Sequence, residues 1–377
     1  MNYLKNFFML KNTYTTTLII VLLLFANKLI SQEKRNVSIT SELQLKAYFE
    51  AYYGYDFGKP ENQKRPAVFY NFTDHNQFSL NTGMIGLNYS GKRIRSNLSF
   101  ILGSYAQENL SGEPKVFNHI YEANLGVKLL KKHEFWLDVG IMESNLGFES
   151  AMSANCYTLT RTLLAESSPF YLNAAKLSYL TQNNKWEFEF LFSNGWQQMV
   201  HGYPSFGHTV KYKPNENWLI NSSSFLGRVK LPGAVPLLTR KEYRIFHNFY
   251  AKYEKDKIGI IGGIDFGVDQ LVENNNDLGS WVGIAGIFRY QFHKNWSATI
   301  RGEYYLDPSN SVAQLQNIDG LESFGGSLNV DCHLGEIFMI RVEGRILSAK
   351  KQVFELKDSP SNHNLYVGVS GIIDLWN

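Results

Sequence analysis

Residues 43–57 read LQLKAYFEAYYGYDF. Leu43, Leu45, Ala47, Phe49, Ala51, Tyr53, Tyr55 and Phe57 fall at every second position, and Gln44, Lys46, Tyr48, Glu50, Tyr52, Gly54 and Asp56 fall between them. Successive strand side chains point to opposite faces, so this stretch makes one apolar wall and one wet wall. It is also longer than the strands of most soluble sheets. The pattern recurs from Trp186 to Ser193, from Trp296 to Leu306 and from Phe338 to Ile346, where Arg341, Glu343 and Arg345 share the polar face. Strands of this kind are expected at 43–57, 78–90, 94–107, 120–131, 134–142, 171–182, 186–194, 205–213, 218–226, 243–254, 258–270, 280–292, 296–307, 323–333, 337–348 and 365–376. The even count of about sixteen matters, because a sheet in lipid must close on itself to leave no unpaired edge.

The spacing of those strands alternates. Short connections such as Asn183-Asn184-Lys185, Lys255-Asp256-Lys257 and His293-Lys294-Asn295 alternate with long ones at roughly 58–77, 108–119, 143–170, 195–204, 227–242, 271–279, 308–322 and 349–364. Short turns at one end and long loops at the other are the pattern of a transmembrane antiparallel β-barrel, with the turns periplasmic and the loops extracellular. Trp186, Trp218 and Trp296 each open a strand just after a short turn, where amphipathic rings favour the lipid–water interface.

The start of the chain agrees with export. Lys5 and Lys11 precede the apolar run Thr17 to Ala26, and Leu29-Ile30-Ser31 ends on a small residue, the order of a cleaved signal peptide over 1–31. A short periplasmic segment, 32–42, then leads into a barrel domain at 43–377, with no room for a plug domain before the first strand. Without 1–31 the chain loses Lys5, Lys11 and Lys28 and no acid, which leaves 34 basic residues against 34 acidic ones. That balance gives no reason to expect a nucleic-acid partner. Aromatic residues make up 15% of the chain, and no later segment is long and apolar enough for a membrane helix.

Enzyme motifs are missing: there is no GxSxG elbow, HExxH helix or phosphate-binding loop. His208, His247 and His333 lie in or at the ends of expected strands, without a serine partner nearby in sequence. Cys156 and Cys332 lie far apart with no metal-ligand spacing. Catalytic, cofactor and metal sites are therefore not expected.

The polar strand faces should line the lumen, because Arg or Lys at the lipid midplane costs about 2–4 kcal/mol. Parity assigns Glu50, Arg95, Glu122, Lys128, Asp138, Arg289, Arg301, Glu303, Arg341, Glu343 and Arg345 to the pore wall, along with Lys46, Glu187, Glu189, Asp265 and Asp331. The loop at 143–170 is expected to fold inward and narrow the channel, with Glu149, Arg161 and Glu166 at the narrowest section and local helix over Thr158 to Glu166. The competing placement has it packed outside, over the mouth. Both charge signs line the wall, so any ion selectivity should be weak.

Several stretches resemble the beta-barrel porin-2, OmpL-like family of outer-membrane proteins. They are Ala47 to Tyr53, Arg65-Pro66 with Tyr70-Asn71 and His75-Asn76, Tyr121 to Asn124, Trp136 to Gly140, Gly147 to Ala151, and Thr160 to Tyr171. The resemblance implies an outer-membrane porin without a cofactor, passing small hydrophilic solutes or ions, surrounded by outer-membrane lipid and able to form a homo-oligomer. The alternative is a structural or adhesive outer-membrane barrel with an occluded lumen.

Overall fold

The computed structural model describes residues 37–38, 42–200, 202–229, 242–270, 278–313, 315, 320–357 and 359–376. The expected signal segment 1–31, most of 32–42, and most of the loops expected at 227–242 and 271–279 lie outside the described residues.

Sixteen strands form the wall. They are β1 (Leu43–Asp56), β2 (Gln77–Ser90), β3 (Ile94–Leu102), β4 (Ile120–Lys128), β5 (Glu134–Glu143), β6 (Tyr171–Leu180), β7 (Trp186–Ser193) and β8 (Ser205–Tyr212). They continue with β9 (Trp218–Val229), β10 (Glu242–Lys255), β11 (Ile258–Gln270), β12 (Leu278–His293), β13 (Trp296–Asp307), β14 (Leu321–Leu334), β15 (Phe338–Ala349) and β16 (His363–Leu375). Each pairs antiparallel with the next, and β16 closes on β1 from Tyr366 opposite Asp56 to Leu375 opposite Ala47. Closure pairs every strand on both sides, which the lipid interior demands.

The side chains sort as the alternation requires. On β15, Ile340, Val342 and Ile346 are 38%, 41% and 52% exposed, whereas Arg341, Glu343 and Arg345 are 2%, 0% and 1% exposed. In water that would be an inverted protein; in a bilayer it places the apolar residues against lipid. Asn184, Asp256 and Gly335 take positive φ in three of the short turns, the conformation these small or polar residues tolerate best. Trp186, Trp218 and Trp296 stand half-exposed at the turn end, and Trp186 stacks on Tyr212 with centroids 4.1 Å apart.

Two expectations need correction. The strand expected to run to 107 stops at Leu102: Gly103 takes φ +110° and turns the chain inward into α1 (Ser104–Asn109). There Tyr105 and Ala106 pack against inward-facing Tyr48, Met84 and Ile101. The helix expected over Thr158 to Glu166 is confined to α2 (Leu163–Glu166). Thr162 caps it by accepting from the Ala165 N–H at 3.2 Å, and upstream of it the Leu159 N–H and both backbone groups of Thr160 are bonded to the barrel wall instead of within a helix.

Candidate functional site in the barrel lumen

The 144–170 segment joins β5 to β6 and descends through the lumen. Near its start, the Asn145 amide donates to Glu189 Oε2 and Thr209 Oγ1, both at 2.6 Å. At its lowest point the Tyr157 hydroxyl donates to Glu254 Oε1 at 2.6 Å, one residue before the end of β10. Burial, then Glu254 beside it, pushes the Tyr157 phenol above its ordinary value, so it stays a donor. On both sides of Tyr157 the segment lies along the β13–β15 wall. Arg341 donates to the carbonyls of Ser153, Cys156 and Thr158, and to Asp331. Arg301 donates to Thr158 Oγ1, to the carbonyl and hydroxyl of Thr160, and to Glu343. Arg345 reaches the Arg161 carbonyl at 2.9 Å and pairs with Glu303. In return Glu343 accepts the Thr160 N–H at 2.6 Å, Glu303 the Leu163 N–H at 2.7 Å and Asn329 the Leu159 N–H at 3.0 Å.

This arrangement answers a backbone accounting problem. A loop without secondary structure carries unpaired N–H and C=O groups that cannot be left dry. Three arginines and two glutamates of β13 and β15 take them up in a two-sided ladder. Buried charges of this kind stand only when paired and hydrogen-bonded.

The sequence-derived site residues therefore separate. Glu50, Arg301, Glu303, Arg341, Glu343 and Arg345 face inward and are sealed against the loop. Asp138 faces inward and pairs with Arg95, which stacks over Trp136 at 4.3 Å. Glu122 and Lys128 are partly exposed on β4, where Lys128 pairs with Glu134; Arg289, on β12, lies 5.4 Å from the Tyr157 ring. Arg161 turns back into its own loop and donates to the carbonyls of Ser150, Ala151 and Leu159. Glu149 accepts from the Thr162 N–H at 2.8 Å, and burial raises its carboxyl above the usual range. Glu166 accepts the Tyr70 N–H at 2.8 Å, and burial pushes its pKa up to about 7.

A second group of ions is wetter. On β3 and β6 to β8, the side chains of Arg95, Lys176, Glu187 and Lys211 are 35%, 21%, 31% and 24% exposed, whereas those of Arg301, Glu303 and Glu343 are 0% exposed. Lys252 and Glu254 on β10 are wet as well, at 30% and 51%, so the wetter ions gather toward the turn end of the lumen while the dry ones lie under the loop. Lys176 and Lys211 were outside the expected pore lining, although both sit at inward parity on their strands. Asn145 and Tyr157 were also missed; being uncharged loop residues, they carry no periodic signal.

A closed sixteen-stranded barrel with an apolar exterior, a charged interior and an inward loop defines the class: a porin-type β-barrel of the outer membrane. More narrowly, the chain belongs to the family described as "Putative beta-barrel porin-2, OmpL-like", whose model matches residues 42–375. No curated protein sequence matches it significantly. Among solved structures it is similar to OmpT, an outer membrane protein of Vibrio cholerae, with 9% identity, a TM-score of 0.58 and coverage of 90% of this chain and 99% of that one. It is also similar to an anion-selective porin from Comamonas acidovorans, with 11% identity, a TM-score of 0.57 and coverage of 88% and 99%. OmpF of Salmonella typhi, solved in complex with daunomycin, gives 9% identity, a TM-score of 0.56 and coverage of 88% and 97%. Identities this low carry the fold and no more.

Proposed function

We propose that this chain is a narrow diffusion porin, passing small hydrophilic solutes or ions along the β3–β8 side of a lumen that the 144–170 loop constricts. The observation that carries this reading is the partial exposure of the inward-facing ions Arg95, Lys176, Glu187 and Lys211. Fixed charges of both signs beside water suit polar solutes and argue against strong discrimination by charge. In this reading residues 1–31 are a signal peptide removed on export and 32–42 a periplasmic lead-in. N-terminal sequencing of the membrane form should then begin at Gln32.

A second reading, an occluded structural or adhesive barrel, draws on a different observation. Trp196, Phe225, Phe246, Trp281 and Tyr305 pack as an apolar cluster inside the wall, and α1 with Phe170 and Met199 makes another. We favour the channel because an aqueous passage explains partly exposed lysines and glutamates inside a barrel, whereas occlusion does not require them. An enzymatic role is not proposed: Ser224 and His247 do form a pair, with Oγ 2.7 Å from Nδ1, but on the outward face in mid-belt. Lipid esters lie at the headgroup boundary, away from that level. Liposome swelling in a size series of sugars tests the proposal. Swelling with the smallest sugars and a sharp cut-off supports a narrow porin; no swelling with any of them leaves the occluded reading.

A further inference from the structure

Among the described residues the outward face is apolar almost everywhere at mid-depth, with one interruption. Ser224 of β9 lies directly opposite His208 of β8 on one side and His247 of β10 on the other. Ser222 stands one same-face step away. His208 is exposed, and Ser222, Ser224 and His247 are partly exposed. Following the hydrogen-bonded register outward from this trio gives two apolar residues on one side, Phe190 and Leu177 beyond His208, and three on the other, Phe266, Val282 and Leu306 beyond His247, before Glu322.

Depth follows from the strand itself. Trp218 and Arg228 face outward on β9, with Arg228 bonded to the Tyr243 hydroxyl at 2.7 Å, so both mark membrane boundaries. At about 3.3 Å per residue and a tilt near 40°, the span between them is about 25 Å along the normal, the height of an outer-membrane apolar belt. Ser224 falls near its middle. Water cannot satisfy an imidazole or a hydroxyl at that level, and leaving one against hydrocarbon is costly. The Ser224–His247 bond satisfies one pair of atoms; His208 and the second nitrogen of His247 still face outward.

We propose that the β8–β10 face is a subunit interface, where it meets the same face of a second copy of this chain about a two-fold axis normal to the bilayer. Three observations select that occupant. A partner must offer donors and acceptors at mid-membrane depth; neutral histidine supplies one of each and serine both, so the face complements itself. A second copy is anchored by the same Trp218 and Arg228, which brings its trio to the same depth. The surrounding outward side chains, Phe206, Leu226, Ile245 and Phe249, give the polar centre an apolar rim that excludes lipid. The interface lies across the barrel from the β1–β16 seam and does not depend on whether the lumen conducts.

The test is cross-linking in native outer membranes of the full chain in a Cys332→Ser background. Under oxidation Ser222→Cys should give a disulfide-linked dimer of the chain with itself, while Val367→Cys, on β16, should stay monomeric. In mild detergent, His208→Leu/His247→Leu should move the protein from dimer to monomer while keeping the heat-modifiable mobility of a folded barrel. Equal cross-linking at both cysteines, no cross-link at Ser222→Cys, or a cross-link to a different protein overturns the proposal. If the double substitution does not fold, the cysteine pair still decides.

Discussion

Replacing Arg301 by leucine should release the lumen loop while leaving the barrel standing. Arg301 gives three hydrogen bonds to the loop, at 3.1, 2.7 and 2.9 Å, and a fourth to Glu343 at 2.8 Å. A hydrogen bond from a charged donor contributes roughly 1.5–3 kcal/mol net, and removing one partner of a buried ion pair costs about 3–5 kcal/mol. These overlap at Glu343, so we take about 4 kcal/mol as the loss to the docked loop. When the loop leaves, Glu343 hydrates, so the penalty falls on the docked state and not on the wall. At about 1.4 kcal/mol per decade, the undocked-to-docked ratio rises nearly a thousandfold. Two assays read this: single-channel recording, which should show longer or larger openings, and limited proteolysis, which should cut within 150–165. Unchanged conductance and unchanged cleavage in a folded, heat-modifiable variant would refute the claim that the ladder holds the loop.

Glu166 gives a pH prediction. Its folded pKa, near 7, lies above its ordinary 4.5, so the folded loop binds the extra proton between those values. Stability from this group is complete below about 4.5 and is lost as pH rises through 7. Proteolysis of the loop should speed up from pH 5 to 8, and Glu166→Gln should flatten the profile. Gly140 has φ +127°, and a Cβ there would sit 2.2 Å from the Ala123 carbonyl, whereas a Cβ at Gly286 would touch nothing within 4 Å. Gly140→Ala should therefore lose about 1–3 kcal/mol in denaturant unfolding from vesicles, and Gly286→Ala about 0.5 or less. Charge reversal of Lys176 and Lys211 to glutamate should shift the reversal potential in a salt gradient toward cations, because those side chains border water. The same change at a sealed position would move it little.

The wall was legible because its information is local. Alternation from Leu43 to Asp56 assigns each residue to lipid or lumen, and the turn residues mark where strands stop. Gly103 escaped notice because a single glycine inside an apolar run looks like strand until its φ is known. The lumen was less legible for a different reason. Arg301 meets Thr160, 141 positions away, and no periodicity joins them. The residues that carry the loop's depth, Ser153, Thr158 and Thr160, are small and polar, a composition equally suited to a loop in water. Inward parity puts Arg341, Glu343 and Arg345 on the inner face, where they are buried, yet it cannot tell a charge beside water from one sealed under a loop. The Ser224–His247 pair was hidden in the same way: it exists only through the register of β9 on β10.

The central claim is that the 144–170 loop narrows a conducting lumen. The most direct measurement is single-channel conductance in a planar bilayer for the intact chain and for a variant lacking residues 150–165. We predict small, resolvable steps for the intact chain and steps several times larger for the deletion. Equal conductance in the two, or no conductance in either folded protein, would contradict it.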